Sequence, residues 1–140
     1  MNGYILDTNC VSELVRQRPE PRVVQWIEGI PEEALFLSVV TVGEIRQGVS
    51  GLARGRRRTH LENWLVDLRL RFAGRILPVD ETVADRWGEL AAAGIAGGAR
   101  LPVIDGLLAA TALTFNLAVV SRDSKVYARA GVAVLNPWVD

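Results

Sequence analysis

Five short apolar runs set the frame of this chain: YIL at 4–6, LFLS at 35–38, RILPV at 75–79, LAVVS at 117–121 and VAVL at 132–135. Each has the length and composition of a strand. Between them lie stretches whose apolar residues recur at helical spacing. Residues 10 to about 17 predict a first helix, and 21–30 a second with Val24 and Ile27 inward. Residues 41 to about 48 predict a third, ended by glycine. In RTHLENWLVDLRLRF, Leu61, Trp64, Leu65, Leu68 and Phe72 fall on one amphipathic stripe. Asp80 caps another helix that runs to Gly94, and the segment from Asp105 to about Asn116 is apolar nearly all round, as suits a core helix. Strands separated by helices imply right-handed crossovers, hence an α/β fold: a mainly parallel central sheet flanked by helices on both faces. With no repeat and no linker, the 140 residues predict a single domain over 1–140.

Charge narrows the function. Sixteen basic and sixteen acidic side chains cancel, so no whole-molecule field drives binding to a polyanion, and any contact with nucleic acid must be local. Every basic residue except Lys125 is arginine, which favours bidentate contacts with phosphate or carboxylate. The longest apolar stretch, near 101–115, is broken by Asp105 and too short to span a bilayer, and no leader pattern opens the chain. A cytoplasmic protein without a membrane partner is expected. The single cysteine, Cys10, has no partner for an internal disulfide and sits in an apolar setting that suggests packing.

In parallel sheets ligands bind beyond the carboxyl ends of the strands. Asp7 and Asp123 each follow an apolar run at that end, while Glu44 and Asp105 stand near the starts of helices that follow other runs. Taken singly, each has an ordinary explanation. Asp7 or Asp105 reads as a helix cap, Glu44 as a solvated helix residue and Asp123 as a turn residue. Taken together, they predict four carboxylates in one crevice. Two carboxylates about 4 Å apart repel by roughly 4 kcal/mol at an effective dielectric near 20, so the cluster needs a positive partner. No lysine precedes Lys125 in the chain and the only histidine is His60, which points to a divalent metal or a nearby arginine. All-carboxylate ligation suits Mg²⁺, with Mn²⁺ possible in its place, and disfavours zinc.

At this point a resemblance becomes specific. LDTN at 6–9, SVVTVGEIRQG at 38–48, VIDGLLAATAL at 103–113, VVSRD at 119–123 and VLNPW at 134–138 resemble, in order and from end to end, a PIN domain. More narrowly they are similar to the VapC and FitB type of toxin ribonucleases from bacterial toxin–antitoxin pairs. The resemblance implies that Asp7, Glu44, Asp105 and Asp123 are the catalytic acids and hold Mg²⁺ or Mn²⁺, with Asn9 and Ser121 supporting them. It implies hydrolysis of an RNA phosphodiester by a metal-activated water, leaving 5′-phosphate and 3′-hydroxyl ends. It also implies a cognate antitoxin, a homodimer, and operator DNA bound only through the antitoxin. Family members often carry KDF near the end where this chain has KVY, so that Val126 stands where an aspartate is common.

Other features carry less. GLARGRRRTH at 51–60 offers Arg54, Arg56, Arg57 and Arg58 as RNA contacts, or equally a solvated approach to a helix. GIAGGARLP at 94–102 lacks GxGxxG and a Walker lysine, and reads as a loop. Trp64 and Trp87 read as core or interface residues, and His60 is unassigned. A haloacid-dehalogenase-like enzyme would need an acid where Asn9 stands, and a receiver domain would need paired early acids. A catalytically silent PIN-like module that binds an antitoxin or RNA remains the competing reading.

Overall fold

The computed structural model describes residues 2–140. Five parallel strands form the sheet: β1 (Tyr4–Leu6), β2 (Leu35–Ser38), β3 (Ile76–Leu77), β4 (Ala118–Val120) and β5 (Val134–Leu135), in the spatial order β3-β2-β1-β4-β5. Seven helices connect them: α1 (Thr8–Glu13), α2 (Pro21–Glu28), α3 (Val39–Ser50), α4 (Arg56–Arg71), α5 (Glu81–Ala96), α6 (Val103–Phe115) and α7 (Ser124–Arg129). The chain leaves β1 in one direction to build β2 and β3, then returns to lay β4 on the other side of β1. That reversal opens a crevice between the carboxyl ends of β1 and β4.

Strand alternation divides the apolar residues between two cores. Leu6, Leu35, Leu37 and Val120 face Val11, Val23, Ile45, Leu65 and Leu68 from the first four helices. Ile5 and Val119 face the other way, onto Leu108, Ala109, Ala112 and Tyr127 from α6 and α7. Both faces of the sheet are therefore covered, which is why the strands read as continuous apolar runs. On α4, Leu65, Leu68 and the following Phe72 are buried, while Leu61 and Trp64 are partly buried against the same core, as the stripe predicted. No described helix is long and apolar enough to cross a membrane.

The helix starts differ from expectation in ways that matter to the site. Helix α1 begins at Thr8 and not at Cys10, capped by Asp7. Helix α3 begins two residues before Thr41, because the Ser38 Oγ accepts a hydrogen bond from the Val40 N–H at 3.1 Å. Asp105 does not open α6; the helix starts at Val103, which leaves Asp105 in its first turn, where the helix dipole favours an acid. Asp80 does cap α5, its Oδ1 accepting from the Val83 N–H at 3.0 Å. Helix α7 has no counterpart among the expected elements. Six residues make less than two turns, too few to show a period.

Trp87 packs at the contact of α5 with α6. A Cβ on Gly106 would meet its indole at 2.8 Å, so the close approach depends on that glycine.

Candidate active site

Asp7 stands at the mouth of the crevice. Its N–H still belongs to the sheet, donating to the Val120 carbonyl at 2.9 Å, and its side chain is buried. Its Oδ1 accepts from the Thr8 N–H at 2.8 Å. Its Oδ2 accepts twice, from the Ser121 hydroxyl at 2.7 Å and from the Tyr127 hydroxyl at 2.9 Å. Asp7 is thus both a helix cap and a member of an acidic cluster; the two roles use different oxygens.

Three further acids approach from three other places. On α3, Glu44 accepts a short hydrogen bond from the Thr8 hydroxyl through its Oε1. From α6, Asp105 places its Oδ1 3.5 Å from the Tyr127 hydroxyl, at the limit of a hydrogen bond. Beyond β4, Asp123 accepts from the Asn9 amide at 3.3 Å, and its own N–H donates to the Ser121 Oγ at 2.9 Å. Asn9 completes the link by donating to the Ser121 Oγ and accepting from the Arg122 N–H, both at 3.3 Å.

Electrostatics register the convergence. Burial, followed by the charges of Asp7, Asp123 and Glu44, raises the Asp105 carboxyl above its ordinary value, against a hydrogen bond from Tyr127 that lowers it. Burial, followed by the charges of Asp7 and Asp105, the hydrogen bond to Asp7 and the charge of Asp123, pushes the Tyr127 phenol upward, so it stays protonated and acts as a donor. Cys10, beneath the site, is pushed up to about 12 by burial and then by Asp7 and Glu13, and remains an inert thiol. Among the described residues, none of the four acids forms an ion pair with lysine, arginine or histidine. Nor do any three acidic, histidine or cysteine side chains stand close enough to grip one ion on their own.

The arginine stretch lies apart from this network. Arg54, Arg56 and Arg57 are exposed, whereas Arg58 donates to the Leu52 carbonyl at 3.2 Å and pairs with Glu62 at 3.8 Å. None of the four makes a hydrogen bond to the acids. Sequence reasoning missed Thr8 and Tyr127. Thr8 lies inside LDTN, flanked by two residues already singled out, and its position beside an acidic cap was the available signal. Tyr127 was detectable only as the aromatic of KVY, a tyrosine following the position where the resemblance expects an aspartate.

Comparison with known proteins agrees with this layout. A PIN-domain family profile matches residues 4–132. The chain is 41% identical over 137 residues to toxin FitB of Neisseria gonorrhoeae, covering 97% of this chain and 99% of that protein. It is 36% identical over 135 residues to VapC ribonuclease Y4jK of Sinorhizobium fredii, covering 96% of each. The crystal structure of FitAcB from Neisseria gonorrhoeae superposes with a TM-score of 0.92 at 40% identity, covering 96% of this chain and 98% of that one. A structure of FitAB bound to a DNA fragment gives the same TM-score at 39% identity, covering 96% and 95%. A profile match over most of the sequence, near-complete relatives above 30% identity and a shared sheet topology establish that this chain belongs to the PIN-domain family.

Proposed function

We propose that this protein is a divalent-metal-dependent endoribonuclease, the toxin of a toxin–antitoxin pair of the VapC and FitB kind. One observation carries the reading: acids from four separate elements surround the β1/β4 crevice without a cationic side chain to offset them. Such an arrangement costs stability and is retained where a cation or a reaction uses it. The relatives named above, a toxin and a ribonuclease, point to the same chemistry.

The donor set fits Mg²⁺ or Mn²⁺. It is entirely oxygen, and Mg²⁺ keeps several waters and needs only one or two carboxylates from the protein, so three ligands on one ion are not required. Asp7 and Asp105 would hold the ion, while Glu44 and Asp123 would hold its waters or a second ion. When bound, the metal supplies a water acidic enough to lose a proton near neutral pH and draws charge from the scissile phosphate. Around it, Ser121 fixes Asp7, Asn9 spans Ser121 and Asp123, and Thr8 keeps Glu44 turned inward. The exposed Arg54, Arg56 and Arg57 would bind RNA phosphates outside the crevice.

A cognate antitoxin is the expected protein partner, with operator DNA reached through it; the structures of FitAcB and of FitAB on DNA support this. Exposed Ile95, Val103 and Ile104 offer apolar surface for a homodimer. The competing reading, a silent binding module, draws on the lack of a ready-made three-residue metal grip. Cleavage of labelled RNA by antitoxin-free protein, with Mg²⁺, with Mn²⁺ or with EDTA, decides between them. Metal-dependent cutting that a folded Asp7→Asn variant loses supports the nuclease; no cutting and no calorimetric Mn²⁺ binding supports the module.

A further inference from the structure

Tyr127 is buried completely, yet its hydroxyl points into the most acidic place in the molecule. Its ring belongs to the core formed by Ile5, Leu108, Ala109, Val119 and Val132, so the aromatic body is accounted for by packing. The hydroxyl is not: a phenylalanine would pack there equally well. That oxygen lies 2.9 Å from Asp7 Oδ2 and 3.5 Å from Asp105 Oδ1, so its one proton goes to the acid at the end of β1 while the acid from the first turn of α6 stands beside it.

We propose that Tyr127 is a positioning residue of the metal site: its hydroxyl donates to Asp7 and fixes which oxygen of Asp7 faces the metal position. The inference rests on the metal-dependent reading above. Oδ2 of Asp7 already receives two donors, Ser121 and Tyr127, whereas Oδ1 receives only the Thr8 N–H. Oδ1 therefore keeps a lone pair free and is the ligating atom. Asp105 stands 3.5 Å from the same hydroxyl, whose single proton is held by Asp7. Lysine or arginine in this position would also orient Asp7, but its charge would compete with the ion. A phenol orients without neutralising.

Without the hydroxyl, Asp7 Oδ2 keeps only the Ser121 donor, and binding must then immobilise a carboxylate that is less firmly held. Partners that orient metal ligands are worth about 10- to 100-fold in affinity. Calorimetry of Mn²⁺ binding to wild type and Tyr127→Phe should show about a tenfold weaker Kd in the variant. The melting temperature of the metal-free variant checks that the retained ring preserves the fold. A second measurement needs no variant. The chain has two tyrosines, so ¹³Cζ-tyrosine spectra carry two signals, and Mg²⁺ should shift that of Tyr127 while leaving Tyr4, at the other end of β1, in place.

An unchanged Kd in a folded Tyr127→Phe protein, or a Tyr127 signal unmoved while calorimetry shows the site filled, overturns the positioning role and leaves the nuclease reading intact. Wild type that binds neither Mn²⁺ nor Mg²⁺ overturns the metal reading, and this inference with it.

Discussion

The acidic crevice and the arginine-rich start of α4, with Arg54 just before it, carry opposite charge and opposite burial. Asp7 is 6% exposed and bonded to three groups, and Asp105 is raised above its ordinary value by burial and then by its acidic neighbours. Arg54, Arg56 and Arg57 stand in solvent without a partner among the described salt bridges. The difference teaches where geometry has been enforced. Holding acids together against repulsion requires a specific set of donors, whereas exposed arginines require only a solvent-facing helix start. Substitution in the crevice should therefore act on chemistry in large steps, and substitution at the start of α4 on binding in small ones.

The largest effect is expected at Asp7. Loss of a residue that merely orients a metal ligand costs 10- to 100-fold, so Asp7→Asn, which changes the proposed ligand itself, should lower RNA cleavage by at least about 100-fold. A folded Asp7→Asn protein that cuts within about tenfold of wild type would break the contrast. Next comes Thr8→Val, which keeps the side-chain shape and removes the donor to Glu44. Cleavage should fall by about tenfold at saturating metal, read as kcat, with little change in melting temperature.

Asp105→Asn should separate stability from activity. Because the folded protein raises the Asp105 pKa, this group favours the folded state fully below its unfolded value, and that contribution is lost as pH rises through the folded one. The metal-free variant should therefore melt above wild type at neutral pH, and the gap should close as pH falls below the ordinary aspartate range. Added Mg²⁺ should raise the wild-type melting temperature more than that of the variant. Calorimetric scans at two pH values, with and without metal, check both signs.

The smallest effect belongs to the start of α4. Arg57→Ala should leave stability within about 0.5 kcal/mol. It should weaken RNA binding across sequences and reduce the dependence of log affinity on log salt by about one unit. An unchanged slope would remove Arg57 from the RNA-binding surface.

Much of this was legible along the chain, and for a physical reason. A strand buried on both faces must be apolar, so an acid at its end stands out against its background, as Asp7 does directly after β1 and Asp123 does three residues after the last of β4. The amphipathic stripe of α4 announced itself because sixteen residues display several periods. Helix starts were less legible: Asp105 looked like a cap, yet Pro102 precedes the helix and the acid lies inside the first turn. Arg58 looked free and is instead held by Leu52 and Glu62, a matter of side-chain reach that spacing cannot express.

The sequence by itself determined the alternation of strands and helices, the crossovers that make the sheet parallel, and the placement of acids at strand ends. These follow from local periodicity and from the sterics of short connections, which each segment carries independently of the rest. Only the tertiary structure decided that β1 lies between β2 and β4. That order brings Ser121 within 2.7 Å of Asp7 across 114 residues of chain and turns Tyr127 toward two acids from different elements. Such contacts depend on the register of distant segments packed together, and no single segment encodes that register.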